Sequence, residues 1–285
     1  MRTSRKSFSS AETHIELDRF LNVVEESPLS ALLLDYDGTL APFTTDRRKS
    51  FPYPGVVALL QEIMASGRTR LVVITGRDVR DVVTFLGLDP PPEVWGSHGL
   101  QRLKPDGTCK MPNVDDIASR ALSDAGRWLD QLQLQHLAEF KPGGIAVHWR
   151  GIPGTSAMEI RDQVLRGWFP IAQEALLSVL EFDGGIEMRL PDFDKGDAVR
   201  VVISELDSDV PIAYLGDDMT DEHAFQALGT RGLTVLVRPA WRKTSARVWL
   251  KLPHELLDFL ARWAQVSNGP RTANESVRLS QISDR

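Results

Sequence analysis

Three short apolar runs organise the chain: ALLLDYDGT (31–39), TRLVVITGR (69–77) and VPIAYLGDD (210–218). Each is a few aliphatic or β-branched residues that give way to Asp, Thr or Gly. Runs of this length predict strands buried on both faces of a parallel sheet. The stretches 55–67, 195–206 and 220–229 carry apolar residues at helical spacing, the first with a Gly stop. Strands alternating with helices predict an α/β fold with a doubly wound, Rossmann-like parallel sheet. Such sheets bind ligands beyond the carboxyl ends of their strands. The polar residues cluster at those ends: Asp35 and Asp37, Thr75 and Arg77, Asp217 and Asp218.

The middle of the chain has another rhythm. Helices are expected over roughly 114–134 and 156–176. In GIAVHWR (144–150), Ile145, Val147 and Trp149 share one strand face, and Ala146, His148 and Arg150 the other. In IEMRL (186–190), Ile186, Met188 and Leu190 oppose Glu187 and Arg189. A segment with its own strands and helices, inserted between pieces of one sheet, predicts a small α/β cap domain able to act as a lid. The expected division is an N-terminal tail or short helix over 1–27, a core over 28–109 and 186–265, a cap over 110–185 and a C-terminal tail over 266–285.

Composition narrows the function. The net charge of -6 disfavours a polyanionic partner, so no nucleic acid is expected. No apolar run is long enough for a bilayer, so no membrane association is expected. The single cysteine, Cys109, excludes an intrachain disulfide. The first ten residues are basic and Ser-rich without an apolar core, unlike a secretory signal. A cytoplasmic protein acting on a small molecule fits, and a monomer is compatible with these features.

DYDGTL (35–40) carries the strongest chemical signal. Two carboxylates at a strand end, a Gly that permits a tight turn and a Thr hydroxyl provide a nucleophile, a general acid and phosphate donors within five residues. The competing reading is a solvated Asp-Gly turn. YLGDDMTDE (214–222) adds Asp217, Asp218 and Asp221, hard oxygen ligands suited to Mg²⁺. Asp217 is the primary ligand. Asp218 is grouped with the metal site, and Asp218 and Asp221 stand behind Asp217 or cap the following helix. Lys195 opens a helix, where phosphate is favoured. Thr75 and the N–H groups around Gly76 can bind phosphate, and Arg77 can pair with it in bidentate fashion.

With these residues in order, the chain resembles the haloacid dehalogenase superfamily of phosphatases: DYDGT, the Thr of ITGR, the Lys of DKG, and GDD. The inserted segment resembles a C2-type cap. DYDGTLAPF, ITGR, GSHGLQ, KPGGIAVHWR, IEMRLP and YLGDDMTDEHAF together resemble the trehalose-6-phosphate phosphatase family over about residues 31–239. Two departures stand out: Gln101, where that family usually has Glu, and EMRLP in place of EIRP.

The resemblance implies Asp35 as nucleophile, forming an aspartyl-phosphate, and Asp37 as general acid and then base. It implies Mg²⁺ held by Asp35, the backbone carbonyl of Asp37, and Asp217, with Thr75 and Lys195 on the transferring group. Thr39, Arg77, Ser97, His98, Lys141, His148, Arg150, Glu187 and Arg189 are the expected substrate contacts, those of the cap serving the sugar. For His148 a solvated outer face is an equal reading. Trehalose 6-phosphate is the expected substrate. A phosphatase for sucrose, glucosylglycerol or glycosylglycerate phosphate stays open because Gln101 could alter a sugar contact. A catalytically dead sugar-phosphate-binding regulator is a further alternative.

Overall fold

The computed structural model describes residues 10–44, 49–182, 184–191 and 193–269. The expected tails over 1–9 and 270–285 lie outside these residues. Helix α1 (Ser10–Glu26) occupies the rest of the N-terminal segment and buries Leu17, Leu21 and Val24.

The larger sheet runs through β1 (Ser30–Leu34), α2 (Val56–Ala65), β2 (Thr69–Ile74), α3 (Val79–Leu86), β3 (Glu93–Gly96), β4 (Gln101–Leu103) and β5 (Cys109–Lys110). After an insertion it resumes with α6 (Lys195–Ser204), β10 (Ile212–Gly216), α7 (Asp221–Leu228), β11 (Leu233–Val237), β12 (Val248–Leu250) and α8 (His254–Ser267). The strand order is β12-β11-β10-β1-β2-β3-β4-β5. The pairings from β12 to β3 are parallel, and β4 and β5 add antiparallel partners at one edge.

Every residue of β1, β10 and β11 is buried, because helices cover both faces. Within β1 the pleat sends Leu32 and Leu34 to the layer of α1, α2, α3 and α8, and Ala31 and Leu33 to that of α6 and α7. Burying each of these leucines contributes roughly 1.5–3 kcal/mol. β1 lies between β2 and β10, so the strand order reverses between β1 and β10. Asp35 leaves β1 and Asp217 leaves β10 at that switch point, where a crevice opens.

The insertion holds α4 (Asp116–Gln131), β6 (Ala138–Lys141), β7 (Gly144–His148), α5 (Gly154–Glu174), β8 (Ser178–Phe182) and β9 (Gly185–Arg189). Its four strands form an antiparallel sheet in the order β6-β7-β9-β8. Here the expected division needs correction. Strand β9 pairs with β7 and β8, so the stretch after 185 assigned to the core begins inside the second sheet. The reason is local: Ile186 and Met188 pack with Ile145, Val147 and Trp168 against α4 and α5. The opposite face of this sheet carries Lys141, His148, Glu187 and Arg189 towards the crevice. Among the described residues, no helix is long and apolar enough to cross a membrane.

Candidate active site

Asp35, Asp217 and Asp221 converge although the latter two lie about 180 residues away from the first along the chain. One oxygen from each lies within 4.8 Å of the others, and all three side chains are buried. Lys195 enters from the start of α6, which Asp194 and Asp197 close with a reciprocal capping box. Its Nζ donates to Asp35 Oδ1 at 2.6 Å and to Asp221 Oδ1 at 2.8 Å, with 4% of its side chain exposed. Tyr214 OH donates to Asp221 Oδ1 at 2.6 Å, and Thr39 Oγ1 to Asp35 Oδ2 at 3.1 Å.

One ammonium does not offset three buried carboxylates. Burial pushes the Asp35 carboxyl up to about 7, with Asp221 and Asp37 adding to the rise against the opposing pull of Lys195. Burial raises Asp217 well above the usual carboxylate range, and Asp35 and Asp221 raise it further. Burial alone would lower the Lys195 ammonium, but Asp221 and Asp35 raise it instead, so it stays charged.

The donor set fits a hard divalent cation. Among the described residues, Asp217 Oδ1 is buried without a hydrogen-bond partner. Gly38 turns at φ +84° so closely over Asp217 that a Cβ would lie 2.3 Å from Oδ2. A buried, unpaired carboxylate oxygen among acidic neighbours is costly unless positive charge completes the site.

Several expected contacts are placed differently. Arg77, expected on the phosphate, grips Asp37: Nε to Oδ2 at 2.6 Å and Nη2 to Oδ1 at 2.7 Å. Its guanidinium carbon lies 5.7 Å from the centre of the Tyr36 ring and 5.3 Å from that of the Phe85 ring, beside the two rings, whose centres are 6.1 Å apart. Ser50 Oγ also donates to Asp37, at 3.0 Å. Thr39, expected to meet substrate, is fully buried and orients Asp35. Ser97 donates to Gln101 Oε1 at 3.3 Å. Gln101 also accepts from Val79 N and donates from Nε2 to Asp78 Oδ2, both at 3.3 Å, so it holds the start of α3. Asp218 lies outside the close carboxylate trio, and its Oδ1 accepts from Met219 N at 2.7 Å. Asp221, expected to cap the helix or stand behind Asp217, accepts from the N–H groups of Asp217 and Asp218 in the preceding loop.

The remaining expected residues line a cavity of about 970 Å³ between the two sheets, which reaches from Asp35, Asp217, Lys195 and Thr75 to the strands of the inserted segment. His98 and Glu187 meet across it at 3.2 Å, and Lys141 Nζ reaches Glu187 at 2.5 Å. Burial depresses the His98 imidazole to about 4, which keeps it neutral near pH 7. Glu187 stays well below the usual carboxylate range although burial would raise it, because Lys141 and His98 stabilise its charge. Arg189 is buried, with Nε unpaired. Arg150 lies 4.0 Å over the Phe43 ring, and His148 Nε2 contacts Glu139 Oε2 at 3.0 Å. Glu139, Phe43, Phe182 and Ser50 escaped the sequence reading. β6 offers only the residues AEFK, too short for a visible alternation.

A doubly wound sheet, a buried Asp at the switch point and an inserted antiparallel cap define a class, the haloacid dehalogenase-like fold. A haloacid dehalogenase-like hydrolase from B. subtilis shares it with a TM-score of 0.54 at 17% identity, covering 81% of this chain and 99% of that one. The C-terminal domain of C. albicans trehalose-6-phosphate phosphatase superposes with a TM-score of 0.70 at 24% identity, over 87% of this chain and 96% of that domain. At these identities the likeness concerns the fold. The family is settled by sequence: a family model for trehalose-phosphatase matches residues 33–251, and the chain belongs to that family. The trehalose-phosphate phosphatase of Mycobacterium marinum is 35% identical over 251 residues, 83% of this chain and 62% of that protein. The chain thus spans about three fifths of that relative's length.

Proposed function

We propose that the protein is a phosphoric monoester hydrolase that converts trehalose 6-phosphate to trehalose and phosphate, with Asp35 as nucleophile. The observation that carries this reading is the convergence of Asp35, Lys195, Asp217 and Asp221 at one end of a cavity whose far wall is polar. Asp35 attacks phosphorus as the bond to the sugar oxygen breaks, giving an aspartyl-phosphate. Asp37 delivers a proton to the departing oxygen, then takes one from the water that cleaves the acyl-phosphate. Lys195 and the Thr75 hydroxyl hold the phosphoryl oxygens, while Arg77 and Ser50 hold Asp37 in place. Asp35, Asp217 and the backbone carbonyl of Asp37, with Asp221 behind them, would hold a Mg²⁺ ion, which would supply positive charge for the approach of an anionic nucleophile to an anionic phosphate.

Glu187, Lys141 and Arg189 on the inserted segment, and His98 on the larger domain facing them, offer charged and neutral partners for sugar hydroxyls. The inserted domain then excludes water until the acyl-phosphate forms. A cytoplasmic setting fits the exposed single Cys109. Gln101 is turned away from this wall, so its departure from the family pattern gives no reason to prefer another glycosyl-phosphate.

The test is phosphate release from a panel of sugar phosphates, with Mg²⁺ and with EDTA. Trehalose 6-phosphate is expected to lead in kcat/KM, with activity lost in EDTA. Preference for sucrose, glucosylglycerol or glycosylglycerate phosphate would overturn the substrate, and full activity in EDTA would overturn the metal.

A further inference from the structure

The loop that carries Asp217 is gripped from two sides. On one side, Asp217 N and Asp218 N donate to Asp221 Oδ2 at 3.0 and 2.9 Å. On the other, the carbonyl oxygens of the same two residues face a guanidinium. Arg242 Nε donates to Asp217 O at 3.1 Å and Nη2 to Asp218 O at 2.6 Å. Arg238 Nη1 adds a donor to Asp217 O at 3.2 Å. The remaining terminal nitrogen of Arg242 pairs with Glu222 on α7. Glu222 is itself held by Thr244 Oγ1 and Ser245 N, each at 2.8 Å. Arg242 and Glu222 expose only 15% and 12% of their side chains.

Arg242 comes from the segment between β11 and β12, outside every motif picked out in the sequence. Its planar fork meets two adjacent carbonyls that a lysine could not bridge with the same geometry. Asp221 fixes where the two N–H groups point, and Arg242 fixes where the carbonyls point. Together they leave little rotational freedom in the two peptide units from which the Asp217 side chain projects. Asp217 Oδ1 has no hydrogen-bond partner among the described residues, so its aim depends on this backbone.

We propose that Arg242 is a positioning residue for the metal site: it locks the 217–218 loop so that Asp217 is preorganised for a divalent cation. The inference rests on the reading that a cation binds between Asp35 and Asp217. Outer partners of metal ligands tune affinity in this way, typically by 10–100-fold. If Arg242 merely tied the β11–β12 segment to α7, its loss would lower the melting temperature and leave cation affinity alone.

The experiment uses the full chain, stripped with EDTA, and measures Mn²⁺ binding by electron paramagnetic resonance without substrate. It covers wild type, Arg242→Gln, Arg242→Lys and Asp217→Asn. Arg242→Gln is expected to weaken Mn²⁺ binding by about 10–100-fold, with Arg242→Lys between it and wild type. The Mg²⁺ concentration for half-maximal phosphate release should rise in parallel, while KM for the sugar phosphate at saturating Mg²⁺ changes less than about twofold. Wild-type Mn²⁺ affinity in Arg242→Gln, whatever its melting temperature, overturns the proposal. Should Arg242→Gln not fold, Arg242→Lys decides, and wild-type affinity in that variant overturns it equally. If wild type binds no Mn²⁺, or Asp217→Asn binds as tightly as wild type, the metal reading fails and takes this inference with it. Loss in Asp217→Asn but not in the Arg242 variants sinks the inference alone.

Discussion

Lys195 holds Asp35 and Asp221 together at 2.6 and 2.8 Å. Lys195→Met keeps most of the aliphatic stem and deletes the charge. Three buried carboxylates would then face one another with no ammonium among them. Removing one partner of a buried pair costs about 3–5 kcal/mol. In a protein of this size each kcal/mol lowers the melting temperature by roughly 2–4 °C, so the metal-free variant should melt on the order of 10 °C below wild type near pH 8. The pH dependence has a definite sign. The Asp35 carboxyl is already pushed up to about 7 with Lys195 present, and losing the lysine raises it further. An acid raised in the folded state holds a proton there that the unfolded chain has released. The penalty is therefore absent below the unfolded value near 3.8, grows as pH rises and is complete above the folded value. The deficit of Lys195→Met should shrink towards about pH 5. Circular dichroism melts after EDTA dialysis, at both pH values, provide the assay. An equal deficit at both, or one below about 2 °C near pH 8, would refute the electrostatic account.

Wild type itself should lose stability between about pH 4 and pH 7 when stripped of metal, and Mg²⁺ should flatten that slope, as denaturant titrations with and without EDTA can show. Arg77→Gln leaves Asp37 without its bidentate partner, and kcat should drop by roughly a hundredfold while KM stays nearly constant, the signature of a disturbed acid–base group in steady-state kinetics. Glu187→Gln removes the charge that Lys141 and His98 share, and KM for the sugar phosphate should rise by about tenfold or more, a result that an unchanged KM would contradict. Gln101→Glu puts a second carboxylate beside Asp78 Oδ2 and should destabilise by about 1–3 kcal/mol without altering sugar preference. Adding Asp78→Ser should restore most of the loss in a double-mutant cycle.

The sheet and its switch point were legible because β1, β2 and β10 are short apolar runs that end in chemistry-bearing residues. The facing of β7 and β9 followed from their alternation, with Ile145, Val147, Ile186 and Met188 inward. What escaped has physical reasons. Alternation shows which residues share a face, but not which sheet a strand joins, so the core expected from sequence takes in β9 although it pairs with β7 and β8. A motif also says that Arg77 and Thr39 lie near the crevice, but not what they touch. Arg77 pairs with Asp37 through Nε and Nη2 beside the Tyr36 and Phe85 rings, and Thr39 is buried because the turn at Gly38 folds it under Asp35. Arg242 had no local signal at all, since it acts on backbone carbonyls more than twenty residues away.

Capture of the phosphorylated protein tests the central claim most directly. Wild type mixed with trehalose 6-phosphate and Mg²⁺, quenched in acid within the first turnovers and mapped by peptide mass spectrometry, should carry phosphate on Asp35. Asp35→Asn should carry none and release no phosphate. Turnover by Asp35→Asn at the wild-type rate would contradict the account.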